Sequence, residues 1–332
     1  MERIPVRLPA APGHSLGLRP DLQEDEAGGL RPMGSCEGRV VIVTGAGRGL
    51  GRAHALAFAA EGAKVVVNDL GVSRDGGDPA EGPAHDVVAE IQAMGGEAVA
   101  NGADVADWEQ AAAMVAQAVD AFGRLDTLVC NAGFLRDRML ANMSEEEWDS
   151  VTRVHLKGHF APARHAIAHW RDRSKAGEEV GARVVMTSSG AGLMGSIGQG
   201  NYAAAKAGIA LLVVQAAAEW GRYGVLVNGV APDARTRMTE GVIYDTGAPE
   251  GWDEKDPANV SPLMVWLGSR DCDVTGRVFE ASGGGLNVCD GWQHGPVASV
   301  GERRFEVAEV GEAVHRSIAG APDPAPVFGH RD

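Results

Sequence analysis

The chain has 332 residues, with 30 Lys and Arg against 45 Asp and Glu, a formal net charge of −15. At about 150 residues per domain, this length allows two domains or one large α/β unit, either with a sizeable core. The acidic balance argues against a nucleic-acid backbone or an anionic membrane as partner, since both require clustered Lys and Arg.

Residues 1–37 are rich in Pro, Gly and Arg, with an acidic run at 24–26 and no hydrophobic period. They read as a disordered tail. Met33 is a candidate natural start, which would make the residues before it an upstream misread. The N-terminus lacks the apolar stretch of a signal peptide. The four cysteines form no CxxC pair, so neither a zinc site nor a disulfide scaffold is expected, and a reducing cytoplasm is the expected compartment.

From residue 39 the pattern becomes regular. Apolar, β-branched runs at 40–43, 64–67, 98–100, 128–130, 183–187, 225–230 and 278–280 read as strands. Helical patterns fall between them at 50–61, 86–94, 108–122, 145–170, 203–222 and 260–267. Strands without apolar/polar alternation, separated by helices, predict an α/β fold with a doubly wound parallel sheet covered on both faces. One domain over 38–320 and a flexible tail at 321–332 are expected. The apolar stretch 208–218 is too short to span a bilayer. Loops at 71–85 and 240–258 exceed the usual connection length and have the character of functional lids.

The first strand runs into Thr44-Gly45-Ala46-Gly47-Arg48-Gly49-Leu50-Gly51. A strand, a glycine turn and a helix N-terminus suit a dinucleotide pyrophosphate, which needs a tight turn, close backbone approach and oriented N–H groups. A glycine cluster alone is as often a structural turn. Here Asp69, ending the second strand 18 residues beyond Gly51, adds the expected acid. A carboxylate there accepts ribose hydroxyls and repels a 2′-phosphate, favouring NAD over NADP, although Arg48 in the turn is a possible phosphate partner. Asp104 and Val105 after the third strand are candidates for the adenine. Asn131, Ala132 and Gly133 end the fourth strand, where small residues allow a ribose to approach.

Ser189 ends the fifth strand, at the edge where an open α/β sheet binds ligands. Tyr202 lies 13 residues further and Lys206 four beyond that, on one face of the next helix. A phenol has a pKa near ~10. A neighbouring ammonium and a cationic nicotinamide favour its phenolate, which can take a proton from an alcohol as hydride leaves. A lone YxxxK is more often a packed Tyr with a surface Lys. A chain with only three tyrosines that also places a serine 13 before one of them is much less easily chance.

The set TGAGRGLG, NAG, Ser189 and YAAAK resembles the short-chain dehydrogenase/reductase family over about residues 38–290. VVVNDLG at 65–71, LRDRML at 135–140, VHLKGHF at 154–160, GQGNYAAAK at 198–206 and ARTRMT at 234–239 look more narrowly like the (3R)-hydroxyacyl-CoA dehydrogenase module of peroxisomal multifunctional enzymes and its free-standing bacterial relatives. The resemblance implies a single Rossmann-type domain of about seven strands, reversible alcohol oxidation with NAD, and a homodimer or homotetramer. It implies catalytic roles for Ser189, Tyr202 and Lys206, with cofactor contacts at Gly45, Arg48, Gly49, Leu50, Gly51, Tyr202, Lys206, Pro232 and Thr236. A 3-hydroxyacyl-CoA is the favoured substrate, with a hydroxysteroid second. A non-catalytic NAD(H)-sensing or scaffold protein is the reading from another class, and the intact Ser189, Tyr202 and Lys206 argue against it.

Two positions depart from the wider family. His155 stands where Asn is common in a proton relay. It can serve there, or be a helix histidine satisfied by a backbone carbonyl. Pro232-Asp233 replaces the usual Pro-Gly, which puts the nicotinamide contacts of this turn and Thr236 in question. The pairs His155/His159 and His165/His169 have metal-compatible spacing, but no third acidic ligand accompanies them, and solvated helix faces suit the second pair. Cys130 suits a core position. Met194, Ile197 and Met238 either line an acyl or sterol pocket or pack beneath a lid. Arg136 and Arg138 could meet a CoA phosphate, with ordinary surface charge as the default.

Overall fold

The computed structural model describes residues 22–24, 30–32, 34–71, 82–236, 247–289, 291–322 and 327–328. Met33, Met238 and parts of both long loops lie outside the described residues.

Two short strands, β1 (Leu22–Glu24) and β2 (Leu30–Pro32), pair antiparallel with each other. Residues 34–37, expected in the tail, belong instead to the domain. Cys36 is fully buried in the core, and Ser35 N donates to Glu61 Oε2 at 2.9 Å.

The domain then alternates β3 (Val40–Thr44), α1 (Gly49–Ala60), β4 (Lys64–Asn68), α2 (Pro83–Ala93), β5 (Ala98–Asn101), α3 (Trp108–Phe122) and β6 (Thr127–Cys130). The second half comprises α4 (Glu145–Thr152), α5 (Gly158–Lys175), β7 (Ala182–Thr187), α6 (Gly190–Met194), α7 (Gly200–Trp220), β8 (Val225–Pro232), α8 (Ser261–Gly268), β9 (Val278–Ser282), β10 (Gly285–Cys289) and α9 (Val307–Ala319). The main sheet has eight strands in the order β10-β9-β8-β7-β6-β3-β4-β5. Seven run parallel, as expected. The eighth, β10, pairs antiparallel with β9 after a glycine turn in which Gly283 takes φ +53°. Its exposed edge position gives it none of the buried apolar run that marked the other strands.

Apolar side chains fill both faces of the sheet. One layer packs under α1, α2 and α8, the other under α3, α5 and α7. The chain order reverses where β3 meets β6. In open α/β sheets, that junction at the carboxyl ends of the strands is the ligand crevice.

The single helix expected over 145–170 is interrupted. Between α4 and α5 lies a π-helical turn, Arg153–Lys157, which carries His155. Such turns widen a helix locally and often mark functional positions. Helix α7 has 21 residues and, by length and composition, is apolar enough to cross a membrane, which 208–218 alone is not. It instead lays Ile209, Val213, Ala216 and Ala217 against the sheet.

Candidate active site

The glycine turn lies at the junction of β3 and β6. Gly45 takes φ +63°, and a side chain on it would meet Ala132 Cα at 2.7 Å. A Cβ on Gly51 would stand 2.1 Å from the Gly45 carbonyl oxygen, so no other residue fits there. Asn131 binds the turn from behind: its Nδ2 donates to the carbonyls of Thr44 (3.0 Å) and Gly45 (3.2 Å). Thr44 Oγ1 accepts from the amides of Asn131 (2.8 Å) and Ala132 (3.2 Å). Asn131 and Ala132 therefore shape the turn. Helix α1 begins just beyond with no side-chain cap and no acid in its first turn, which leaves an N-terminus suited to an anion. This uncapped cradle fits the pyrophosphate of a nicotinamide dinucleotide. Arg48 and Gly49 are exposed at its rim, Leu50 packs partly against the core, and Thr236 lies 3.7 Å from the Cβ position of Gly49.

Asp69 follows β4 and lies beside the glycine turn. Its Oδ2 accepts from Gly47 N at 2.8 Å and its Oδ1 from Gly71 N at 2.7 Å, which fixes the carboxylate beside the turn. Asp104 lies in the turn between β5 and α3. Its Oδ1 accepts from Ala106 N at 2.8 Å and its Oδ2 pairs with Arg153 at 2.7 Å, so the carboxylate joins the turn before α3 to the π-helical turn. Val105 is buried against Gly158. Both residues thus sit in the turn that leads from β5 into α3. The Pro232-Asp233 departure also finds its partners. Asp233 Oδ2 receives Lys255 Nζ at 2.7 Å and Ser282 Oγ at 3.0 Å, and Arg235 pairs with Asp253 at 3.0 Å. Charged contacts secure the turn that holds Pro232 and Thr236.

Across the crevice, Ser189 caps α6 by accepting from Ala191 N at 3.2 Å. Lys206 is 2% exposed, and its Nζ donates to the Thr187 carbonyl at 2.6 Å while standing 5.6 Å from the Tyr202 ring centre. Burial pushes the Lys206 amine down to about 7. Burial also raises Tyr202, against the Ser189 hydrogen bond that lowers it. Both groups are desolvated in the protein alone, which disfavours both charges.

The His155 ring stands edge-on to Tyr202 at 5.1 Å, with its Nε2 2.7 Å from the Phe134 carbonyl oxygen. Both readings of His155 thus find support: it touches the candidate base, and a backbone carbonyl satisfies it. Burial, reinforced by Lys206, lowers it to about 3, so it is neutral. A Cβ on Gly133 would meet the His155 ring at 2.1 Å. His159 is buried beneath, and its Nε2, like His155 Nδ1, has no hydrogen-bond partner among the described residues. His165 and His169 are half-buried rather than solvated, and His165 packs edge-on to Trp108 of α3 at 4.5 Å. Among the described residues no group of His, Cys, Asp and Glu is arranged for a metal. Cys130 is a core thiol, pushed up to about 12 by burial. Arg138 pairs with Glu147 at 2.9 Å.

Sequence reasoning missed Asn201. It is fully buried, accepts from Tyr202 N at 2.7 Å, and donates to the carbonyls of Arg136 (3.1 Å) and Glu147 (2.8 Å). Its place before the tyrosine was the only available signal.

A cradle for a dinucleotide on one bank and a phenol backed by a buried amine on the other supply both halves of hydride exchange at a CH–OH group, the work of a nicotinamide-dependent oxidoreductase. The chain belongs to the short chain dehydrogenase family, whose model matches residues 39–245. It is 48% identical over 251 residues to the hydroxyacyl-CoA dehydrogenase ChsB1 of Mycobacterium tuberculosis, covering 73% of this chain and 76% of that one. It is 45% identical over 249 residues to the mouse peroxisomal multifunctional enzyme type 2, where the match spans 75% of this chain but only 32% of the mouse enzyme. A crystal structure of a short chain dehydrogenase from Mycobacterium avium superposes with a TM-score of 0.82 at 60% identity, covering 90% of this chain and all of that one.

Proposed function

We propose that the protein is an NAD-dependent dehydrogenase of 3-hydroxyacyl-CoA thioesters. The observation that carries the chemistry is the buried Lys206, whose Nζ stands 5.6 Å from the ring centre of Tyr202 on the helix that follows Ser189. The relatives named as hydroxyacyl-CoA dehydrogenase and multifunctional enzyme support the substrate class. Asp69 beside the glycine turn supports NAD over NADP, because a 2′-phosphate would meet a carboxylate.

In this mechanism Ser189 donates to the substrate oxygen and holds the alcohol against Tyr202. Tyr202 takes the hydroxyl proton while the carbinol C–H leaves as hydride, and it returns a proton in the reverse direction. The nicotinamide, when bound, supplies the hydride acceptor and a cationic ring that favours phenolate. Lys206, anchored on Thr187, holds the ribose and stabilises the deprotonated phenol. His155 lies against the same phenol and extends the proton path. The glycine turn with the α1 N-terminus, together with Pro232 and Thr236, holds the dinucleotide. We further propose a cytoplasmic homodimer or homotetramer.

Replacing Tyr202 with Phe should lower kcat by at least about 10²–10⁴-fold, the contribution of a positioned acid/base. NAD affinity should change little by calorimetry. Substantial turnover in that variant would sink the mechanism.

A further inference from the structure

Two glycines flank the candidate catalytic residues, and each carries an apolar side chain from elsewhere in the chain. Gly190 follows Ser189, and the Phe328 ring lies on it: a Cβ there would be 2.9 Å from Cε2 and 3.1 Å from Cζ. Gly200 lies two residues before Tyr202, and Leu140 covers it, with Cδ2 2.3 Å from the Cβ position. Glycine at both positions brings these side chains directly onto the backbone beside the site.

The two covering segments are hydrogen-bonded to one loop, the connection between α6 and α7. Phe328 N donates to Gly195 O at 3.2 Å, and Ile197 N donates to Phe328 O at 3.0 Å. From the other side, Arg138 N donates to Gly198 O at 2.7 Å. The loop that joins Ser189 to Tyr202 thus becomes the middle of a three-segment bank. Its apolar members are partly exposed: Met139, Leu140, Ile197, Val327 and Phe328 lie between 40% and 66% exposed. Exposed apolar side chains gathered beside a polar reacting centre are the usual dress of a site for an amphipathic ligand.

We propose that this bank seats the apolar part of the substrate, with Phe328 and Leu140 setting chain-length preference. This rests on the reading of the substrate as an acyl thioester. The occupant follows from continuity: Phe328 rests on the residue after Ser189, and Leu140 on the first residue of the helix that carries Tyr202, so an apolar chain extending from the reacting carbon has this bank beside it. The contact is ordinary hydrophobic burial. Its worth grows with the length of chain covered, at about 0.8 kcal/mol for each methylene buried.

The test is KM for 3-hydroxyacyl-CoAs of four, ten and sixteen carbons with the wild type, Phe328→Ala, Leu140→Ser and Phe328→Leu. The expected result is a rise of about five- to twentyfold in KM for the longest substrate with the first two variants. KM for the shortest substrate and for NAD should move less than about twofold, and Phe328→Leu should recover most of the loss. A fall in kcat equal at all chain lengths would make Phe328 a positioning residue only and overturn the proposal. Unchanged KM values, with or without a smaller species in light scattering, would also overturn it; the smaller species would assign the patch to a second copy of the chain. If the wild type oxidises hydroxysteroids and no acyl thioester, the substrate reading fails by itself. The same KM ratio, taken between a polycyclic and a four-carbon alcohol, then still decides the bank.

Discussion

Gly133 has no side chain, and that allows the His155 ring to lie where it does, against Tyr202. Gly133→Ala would drive a methyl into a fully buried imidazole. Overpacking of this kind costs about 1–3 kcal/mol, and the ring has no exposed side to yield into. The expected outcome is a lowered Tm with a loss of kcat larger than the loss of NAD affinity, read by calorimetry and initial rates. In the proposed reading, Asp69 selects NAD. Its carboxylate beside the turn opposes a 2′-phosphate, and close like charges at the surface interact by up to about 4 kcal/mol. Asp69→Ser should therefore shift the ratio of kcat/KM for NAD over NADP by at least about tenfold toward NADP. Tyr202 is raised by burial, so the free base forms only as the pH climbs. Alcohol oxidation should accelerate from pH 6 to 9 while ketone reduction holds steady, since the phenol stays protonated over that range; an oxidation rate flat with pH would remove Tyr202 as the titrating group. Ser189, Tyr202 and Lys206 were legible because their relation is local, a strand end and one helical turn. The partners of Asp104 and Asp233 were not. Arg153 and Lys255 lie 49 and 22 residues away, and no spacing rule connects them.

At the scale of elements, strands and helices with buried apolar runs were readable, and their ends shifted by a few residues. Elements without that signature were not. The π-helical turn depends on how α4 and α5 pack, and β10 on a glycine hairpin. Helix α9 was readable in principle, since Val307, Val310, Val314 and Ile318 recur at helical spacing. One junction between elements carries unusual weight. His54 of α1 and Ser261 at the start of α8 are both buried, with Nδ1 and Oγ 2.9 Å apart. His54→Ala would leave that hydroxyl without its partner and open a cavity, costing about 2–4 kcal/mol. Urea unfolding should show a lower midpoint with activity retained below it.

Across the whole molecule, three histidines are buried in neutral form. Burial takes His54 and His155 to about 3 and His159 well below its ordinary value. Each is protonated in the unfolded chain near pH 6.5 and below, so the unfolded state binds the extra protons and stability falls as the pH drops. Between pH 7.5 and 5.5 the three together should cost about 4 kcal/mol, visible as a falling Tm. The outer face of α7 leaves Leu211 and Val214 exposed, as α4 leaves Trp148 and α5 leaves Phe160. In the proposed oligomer a second copy covers such a surface. Leu211→Glu should then give a smaller species in light scattering.

The strut between Thr44 and Asn131 joins residues 87 apart in the chain. The cofactor cradle is therefore complete only after both halves of the sheet have met. Closing a loop of that length costs about 4 kcal/mol in chain entropy by the logarithmic law. A ligand held by this turn recognises the assembled fold and has little purchase on either half alone. Mass action then makes the dinucleotide a stabiliser of the entire domain, by about 2.7 kcal/mol at one hundred times its Kd. Amides in β5 and β8, far from the cradle, should slow their hydrogen exchange together when the dinucleotide is added.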